Sequence, residues 1–183
     1  MTVSFRLIGA EQATQDVDLG TDDYLPQYVT WIPTGSYTLE KNATVYDLFT
    51  EALDRAGLQY VGAENNYVST IYAPAFAGGY ALSEFTNGIY SGWMYTVNGS
   101  HPNVGLKAKH LSNGDVVVWH YINDYRYEVA DWFDGSSGTA SQQNLWLKAA
   151  DSVPGASDKT NTEQAAKVAP AATAINGEAK AEV

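Results

Sequence analysis

Gly92-Trp93-Met94-Tyr95-Thr96-Val97-Asn98-Gly99, read together with Leu111-Ser112-Asn113-Gly114-Asp115-Val116-Val117-Val118-Trp119, decides the fold of this chain. Each run is rich in aromatic and β-branched residues, the side chains that fit a pleated and partly buried surface. Each also carries an Asn-Gly pair, which supplies the left-handed backbone of a tight turn. Both runs therefore read as strands. In the second, Val116, Val118 and His120 point to one face while Val117, Trp119 and Tyr121 point to the other. A strand with two largely apolar faces is a central strand, covered on at least one side.

The cover stands upstream. Val45, Leu48, Phe49, Ala52, Leu53 and Ala56 fall at i, i+3, i+4, i+7, i+8 and i+11, which predicts an amphipathic helix over about 44–56. Thr44 suits the N-cap, Asp47 complements the dipole in the first turn, and Gly57 supplies the stop. Further strands are expected at 3–8, 28–32, 36–40, 67–73 and 79–82, in addition to 92–97 and 115–121, with Gly78-Gly79 as another turn. One main helix packed across a mixed sheet of four to five strands, with extra short strands, is the α+β architecture called β-grasp, or ubiquitin-like.

The chain of 183 residues suffices for one such domain and a tail. Aromatic and β-branched residues concentrate in residues 1–135, the expected β-grasp module with insertions. Residues 136–152 read as a docking segment, with a short helix at Gln142–Ala150 anchored by Leu145, Trp146 and Leu147. Residues 153–183 hold no aromatic residue and are rich in Ala, Lys and Glu, the composition of a flexible linker or tail. Met1–Ala10 alternates as a strand rather than reading as a signal peptide. Both ends of the chain look cut from something longer.

Charge and composition narrow the function classes. A formal charge of −11 opposes nucleic acid and anionic membrane surfaces, both of which demand a basic face. No apolar run approaches the roughly 20 residues of a membrane span, so no membrane insertion is expected in this segment. The absence of cysteine removes disulfides, thiolate metal sites and cysteine nucleophiles. Tyr (13) and Trp (5) outweigh Phe (5), and such amphipathic rings suit half-wet binding faces.

The two quoted strands, with Pro102-Asn103-Val104-Gly105 between them and the helix from Thr44 to Gly57 before them, carry a resemblance over about residues 37–123. The wording is similar to the transcobalamin-like C-terminal domain family, a β-grasp module of bacterial surface proteins often found beside S-layer homology repeats. The resemblance implies an extracellular, cell-surface or cell-wall setting. It also implies binding of a corrinoid or another small ligand, in a family whose animal relatives close two lobes on cobalamin.

Tyr90, Trp93, Tyr95, Asn98, His101 and Asn103 are the candidate ligand-binding residues. Trp93, Tyr95 and Trp119 offer flat faces for stacking on rings and sugars, and the plainer reading makes them cross-strand core pairs. His101, His110 and His120 are too scattered for a zinc knot. Of the three, His101 is the candidate ligand to cobalt or another metal. Asp22-Asp23 and Asp131 with Asp134 are possible calcium ligands, and neither follows the Asp-x-Asp-x-Asp-Gly loop. Tyr125-Arg126-Tyr127 and Asp131-Trp132-Phe133-Asp134-Gly135 set exposed rings among charges, as protein or glycan contacts do. Asp115, with no partner acid, base or nucleophile, serves its turn rather than catalysis.

The expected function is a non-catalytic extracellular binding or adhesion module of a larger bacterial surface protein. Its partners would be neighbouring domains of that protein, a cell-wall polysaccharide or a host ligand, with no cofactor. The alternative is a small-ligand domain for a corrinoid of the cobalamin type, held by loops 74–91 and 98–105 at one end of the sheet.

Overall fold

The computed structural model describes residues 1–12, 27–125 and 145–153. Within them the elements run β1 (Thr2–Ala10), β2 (Tyr28–Thr38), α1 (Val45–Ala56), β3 (Tyr60–Val61), β4 (Thr70–Tyr72), β5 (Ala81–Ser83), β6 (Gly92–Val97) and β7 (Val116–Ile122). The class is α+β. A mixed four-stranded sheet has the order β2-β1-β7-β6, and β3-β4-β5 form a second, three-stranded antiparallel sheet.

β7 is a central strand, as expected, and its central neighbour is β1, so that β6 is an edge strand of the main sheet. β6 and β7 pair antiparallel, setting Trp93 opposite Tyr121, Tyr95 opposite Trp119 and Val97 opposite Val117. On its other side β7 runs parallel to β1, with Phe5 opposite Val117 and Leu7 opposite Trp119. Parallel neighbours need a crossover, and α1 lies in it. Directly paired residues share a face, so Phe5, Leu7, Val117, Trp119, Tyr121, Trp93 and Tyr95 form one apolar surface. Val45, Leu48, Phe49, Ala52 and Leu53 of α1 are buried in the same core cluster.

Helix α1 has the predicted boundaries because its ends are chemically specified. The Thr44 side chain accepts from the Asp47 amide, and Asp47 Oδ2 accepts from the Thr44 amide at 2.7 Å, a closed capping box. Gly57 ends the helix with φ +69°, and its amide satisfies carbonyls of the last turn. The turn glycines behave as read: Asn98 and Gly99 have φ +53° and +81°, and Gly114 has φ +88°.

Three expectations need correction. The strands placed at 28–32 and 36–40 are one strand, Tyr28–Thr38. Pro33 is accommodated because β2 is an edge strand, where the missing proline N–H leaves no ladder bond unmade. Register shifts in β1 between Phe5 and Ile8 absorb the irregularity. The segments expected at 67–73 and 79–82 shrink to β4 and β5. With β3, which had no periodic signal at two residues, they stand apart from the main sheet.

The short helix expected at Gln142–Ala150 is, within the described residues, a 3-10 turn at Leu145–Lys148. It lies on the sheet face opposite α1. Trp146 is 3% exposed there, whereas Leu147 points outward rather than docking. The clusters Asp22-Asp23 and Asp131 with Asp134, the segment 126–135 and nearly all of the 153–183 tail lie outside the described residues. No helix among the described residues is long and apolar enough to cross a membrane.

Candidate functional site

Strand alternation turns Trp93 and Tyr95 into the α1-side core. Trp93 donates from Nε1 to the Leu82 carbonyl at 2.7 Å, and its ring meets Tyr121 and Trp31 at centroid separations of 5.3 and 5.5 Å. Tyr95 stacks on Trp119 at 5.1 Å and donates from Oη to the Val104 carbonyl at 2.8 Å. Burial pushes the Tyr95 phenol up to about 12. These rings have core geometry, with their polar atoms satisfied by backbone.

Asn98 and Asp115 tie edge strand β6 to central strand β7. Asn98 Nδ2 donates to Asp115 Oδ1 at 2.8 Å, and Asn98 Oδ1 accepts from the Val116 amide at 2.9 Å. Asp115 Oδ2 also accepts from the Ser112 amide at 2.8 Å, the turn role read from the sequence. Asn103 is exposed. The connection 98–105 leaves the Val97 end of β6, whereas the loop 84–91 enters at the Gly92 end. The two loops therefore arise at opposite ends of that strand and do not share one end of the sheet.

His110 stands apart, whereas His101 and His120 adjoin. His110 Nδ1 lies 2.8 Å from the Asn42 carbonyl, beside the start of α1. His101 is half-buried, with its ring 5.5 Å from that of His120. His120 is fully buried on the face opposite α1, with its imidazole stacked on Trp146 at 3.9 Å and 14°. Among the described residues no group of three or more His, Cys, Asp or Glu side chains is placed to hold a metal ion.

On that same face Arg6, only 9% exposed, donates from Nη2 to Thr30 Oγ1 at 2.9 Å and to the Ala149 carbonyl at 2.8 Å. Its Nε lies 3.3 Å from Asp151 Oδ1. Desolvation pushes the Arg6 guanidinium below its usual value, and the Asp151 carboxylate opposes that shift.

One exposed apolar surface lies at loop 84–91. Phe85 is 60% exposed, Ile89 71% and Tyr67 55%. Tyr67 Oη donates to Glu84 Oε2 at 2.5 Å, and desolvation together with that carboxylate pushes the Tyr67 phenol well up. Half-buried Tyr90 meets Tyr125 edge-on at 5.8 Å. The loop is held from beneath: buried Asn87 donates from Nδ2 to the Glu11 carbonyl and to Asn123 Oδ1, both at 3.1 Å. Ser91 Oγ accepts from Tyr121 Oη at 2.9 Å. Phe85 holds φ +67°, a backbone state that non-glycine residues occupy at a cost.

Of the candidate residues only Tyr90 lies on this rim. Tyr67, Phe85 and Ile89 were missed. The signal for Phe85 and Ile89 was present in Glu84-Phe85-Thr86-Asn87-Gly88-Ile89, where large apolar residues flank an Asn-Gly turn without strand alternation.

A family model described as a domain of unknown function (DUF4430) matches residues 42–123, just under half of the chain. The match runs from before α1 to the end of β7 and contains the aromatic rim. It leaves out β1 and β2, although β1 is one of the two central strands. Neither the curated proteins nor the solved structures contain a match to the chain.

Proposed function

We propose that this chain is a non-catalytic binding module of a bacterial cell-surface protein. It takes a polysaccharide on the rim formed by Tyr67, Phe85, Ile89 and Tyr90. The observation that carries the reading is Phe85: an apolar ring displayed at 60% exposure on a left-handed backbone, in a loop fixed by buried hydrogen bonds. Exposed apolar residues held on a rigid frame mark interaction sites. Aromatic faces stack on the C–H faces of sugar rings, and Glu84 and the tyrosine hydroxyls supply polar partners. Between Ala73 and Lys107 the chain carries no Lys or Arg. An uncharged glycan therefore suits the rim better than an anionic ligand.

The finer name for the fold, β-grasp, is supported by the parallel pairing of β1 with β7 at the centre, by β2 and β6 outside them, and by α1 across one face. The transcobalamin-like reading rests on the wording of β6 and β7, and the extracellular setting rests on that reading.

The test is binding of the whole chain to purified cell-wall polysaccharides, measured by calorimetry. Phe85→Ala and Ile89→Ser should each weaken binding by about tenfold or more, the scale of an interface hot spot, while the circular dichroism spectrum stays unchanged. Equal binding by wild type and both variants would remove the rim from the function. The second reading is a corrinoid, favoured by the strand wording and by half-buried His101. Titration with cobinamide and cobalamin decides it: a change in the corrinoid spectrum that His101→Ala abolishes supports it, and a flat titration excludes it.

A further inference from the structure

The sheet face opposite α1 is covered in an unusual manner. Its occupant, Trp146-Leu147-Lys148-Ala149-Ala150-Asp151, adds no strand and buries one large ring. Trp146–Lys148 belong to the 3-10 turn, and Ala149, Ala150 and Asp151 after it contribute polar contacts. The Ala149 carbonyl accepts from Arg6 Nη2 at 2.8 Å, and the Ala150 carbonyl accepts from Thr30 Oγ1 at 2.7 Å. Asp151 Oδ1 accepts from the Thr34 amide at 2.8 Å and lies 3.3 Å from Arg6 Nε. The Trp146 indole lies flat on His120. A ring anchor presented by one turn, followed by two backbone carbonyls and a carboxylate, is a set of contacts by which a receptor can read a short peptide. The Arg6 guanidinium hydrogen-bonds the Ala149 carbonyl through Nη2 and stands within ion-pair distance of the Asp151 carboxylate through Nε.

We infer that this face is a peptide-binding site, built from Arg6, Thr30, Thr34 and His120, which reads a linear segment of the form Trp-x-x-Ala-Ala-Asp and holds Trp146–Asp151 as a releasable ligand in cis. The site lies on the other side of the sheet from the core that supports the aromatic rim, and the inference does not depend on the glycan reading. When the segment leaves, a buried cation and a flat imidazole face become available to a segment of the same chemistry. A second copy of this chain carries one.

The experiment starts from the whole chain. A site for a sequence-specific protease is inserted after Gly135 in Gly135-Ser136-Ser137-Gly138, and the purified protein is cleaved. A fluorescent peptide of residues Gln142–Val153 is then titrated into the cleaved protein after gel filtration. The expected result is that the C-terminal fragment separates, the remainder keeps its folded circular dichroism spectrum, and the peptide binds back saturably. A peptide carrying Asp151→Ala, which removes the acceptor of the Thr34 amide and a partly exposed ion-pair partner, should bind about two- to fivefold more weakly, and one carrying Trp146→Ala at least about tenfold more weakly, as loss of a buried anchor implies. Arg6→Met in the protein should weaken binding as well. Because the peptide variants leave the protein untouched, a poorly folding Arg6 variant does not blunt the test. Unfolding of the remainder on release, failure of the fragment to separate, or equal binding by the wild-type and substituted peptides would each overturn the proposal.

Discussion

Gly9 and Trp31 share one volume: the Trp31 indole lies directly over Gly9, so that a β-carbon added there would fall inside the ring. Gly9 sits in β1 opposite Val29, and Trp31 carries its side chain across the neighbouring strand toward Trp93 and Tyr80. A strand glycine of this kind is required by close approach rather than by backbone angle. Gly9→Ala should lower the unfolding free energy by about 2 kcal/mol, the cost of overpacking a filled core. Urea denaturation measures it. Combining it with Trp31→Leu should lose clearly less than the sum of the two single losses, since the smaller side chain removes the clash. Additive losses would mean that the two residues do not compete for space.

The cap of α1 gives a second prediction. Thr44 and Asp47 each satisfy the other's amide, with Thr44 Oγ1 also 2.8 Å from Asp47 Oδ2. Thr44→Ala should cost about 1 kcal/mol, and Asp47→Ala about as much, because it removes a reciprocal bond and a first-turn carboxylate. The double variant should lose less than the sum, since either change opens the same box. Thermal melts of the four proteins check this.

The contrast between α1 and the rest marks where sequence becomes readable. The helix is specified within 14 residues by an apolar stripe, a capping box and Gly57, so its limits were legible. β6 and β7 were legible for a similar reason, through local alternation and Asn-Gly turns. The separate sheet of β3, β4 and β5 was not, because strands of two or three residues carry too little periodicity and are fixed by partners elsewhere in the chain. Phe85 shows the limit at the site itself: nothing in its neighbours' pattern requires φ +67°, which comes from the Phe85 amide bonding to the Ser91 carbonyl across the loop. Arg6 joins Asp151 from opposite ends of the described chain, and no local pattern could have paired them. Conversely, Trp93 and Tyr95 drew attention by residue type, and alternation alone assigned them to the core.

Tyr95 ties stability to alkaline pH. Its phenol titrates at about 12 in the folded chain, pushed up by burial, against about 10 when unfolded. A raised folded value means that the native state holds the proton more tightly. The contribution is therefore complete below pH 10 and is lost as pH rises from about 10 through about 12. Tyr95→Phe removes the hydrogen bond to Val104 and should cost about 1 kcal/mol at pH 7. It also removes the titration, so its deficit relative to wild type should shrink above pH 10. Urea titrations at pH 7 and pH 11 with tyrosinate absorbance decide it, and a deficit that is the same at both would refute the burial of the phenol.

Phe85 allows stability and binding to be separated. A phenylalanine at φ +67° carries backbone strain of about 1 kcal/mol or more. Being 60% exposed, its side chain recovers little of this through packing. Glycine adopts the same angles without strain, although its unfolded chain is more flexible and offsets part of the gain. Phe85→Gly should thus leave the protein as stable as wild type or more stable, by up to about 1 kcal/mol in urea denaturation. Phe85→Ala, which keeps the strain and loses the ring, should not gain. If Phe85→Gly is instead destabilising by about 1 kcal/mol or more, the ring is packing into the fold and the rim loses its principal residue. A gain in stability accompanied by loss of polysaccharide binding is the pattern of a residue kept for its ligand.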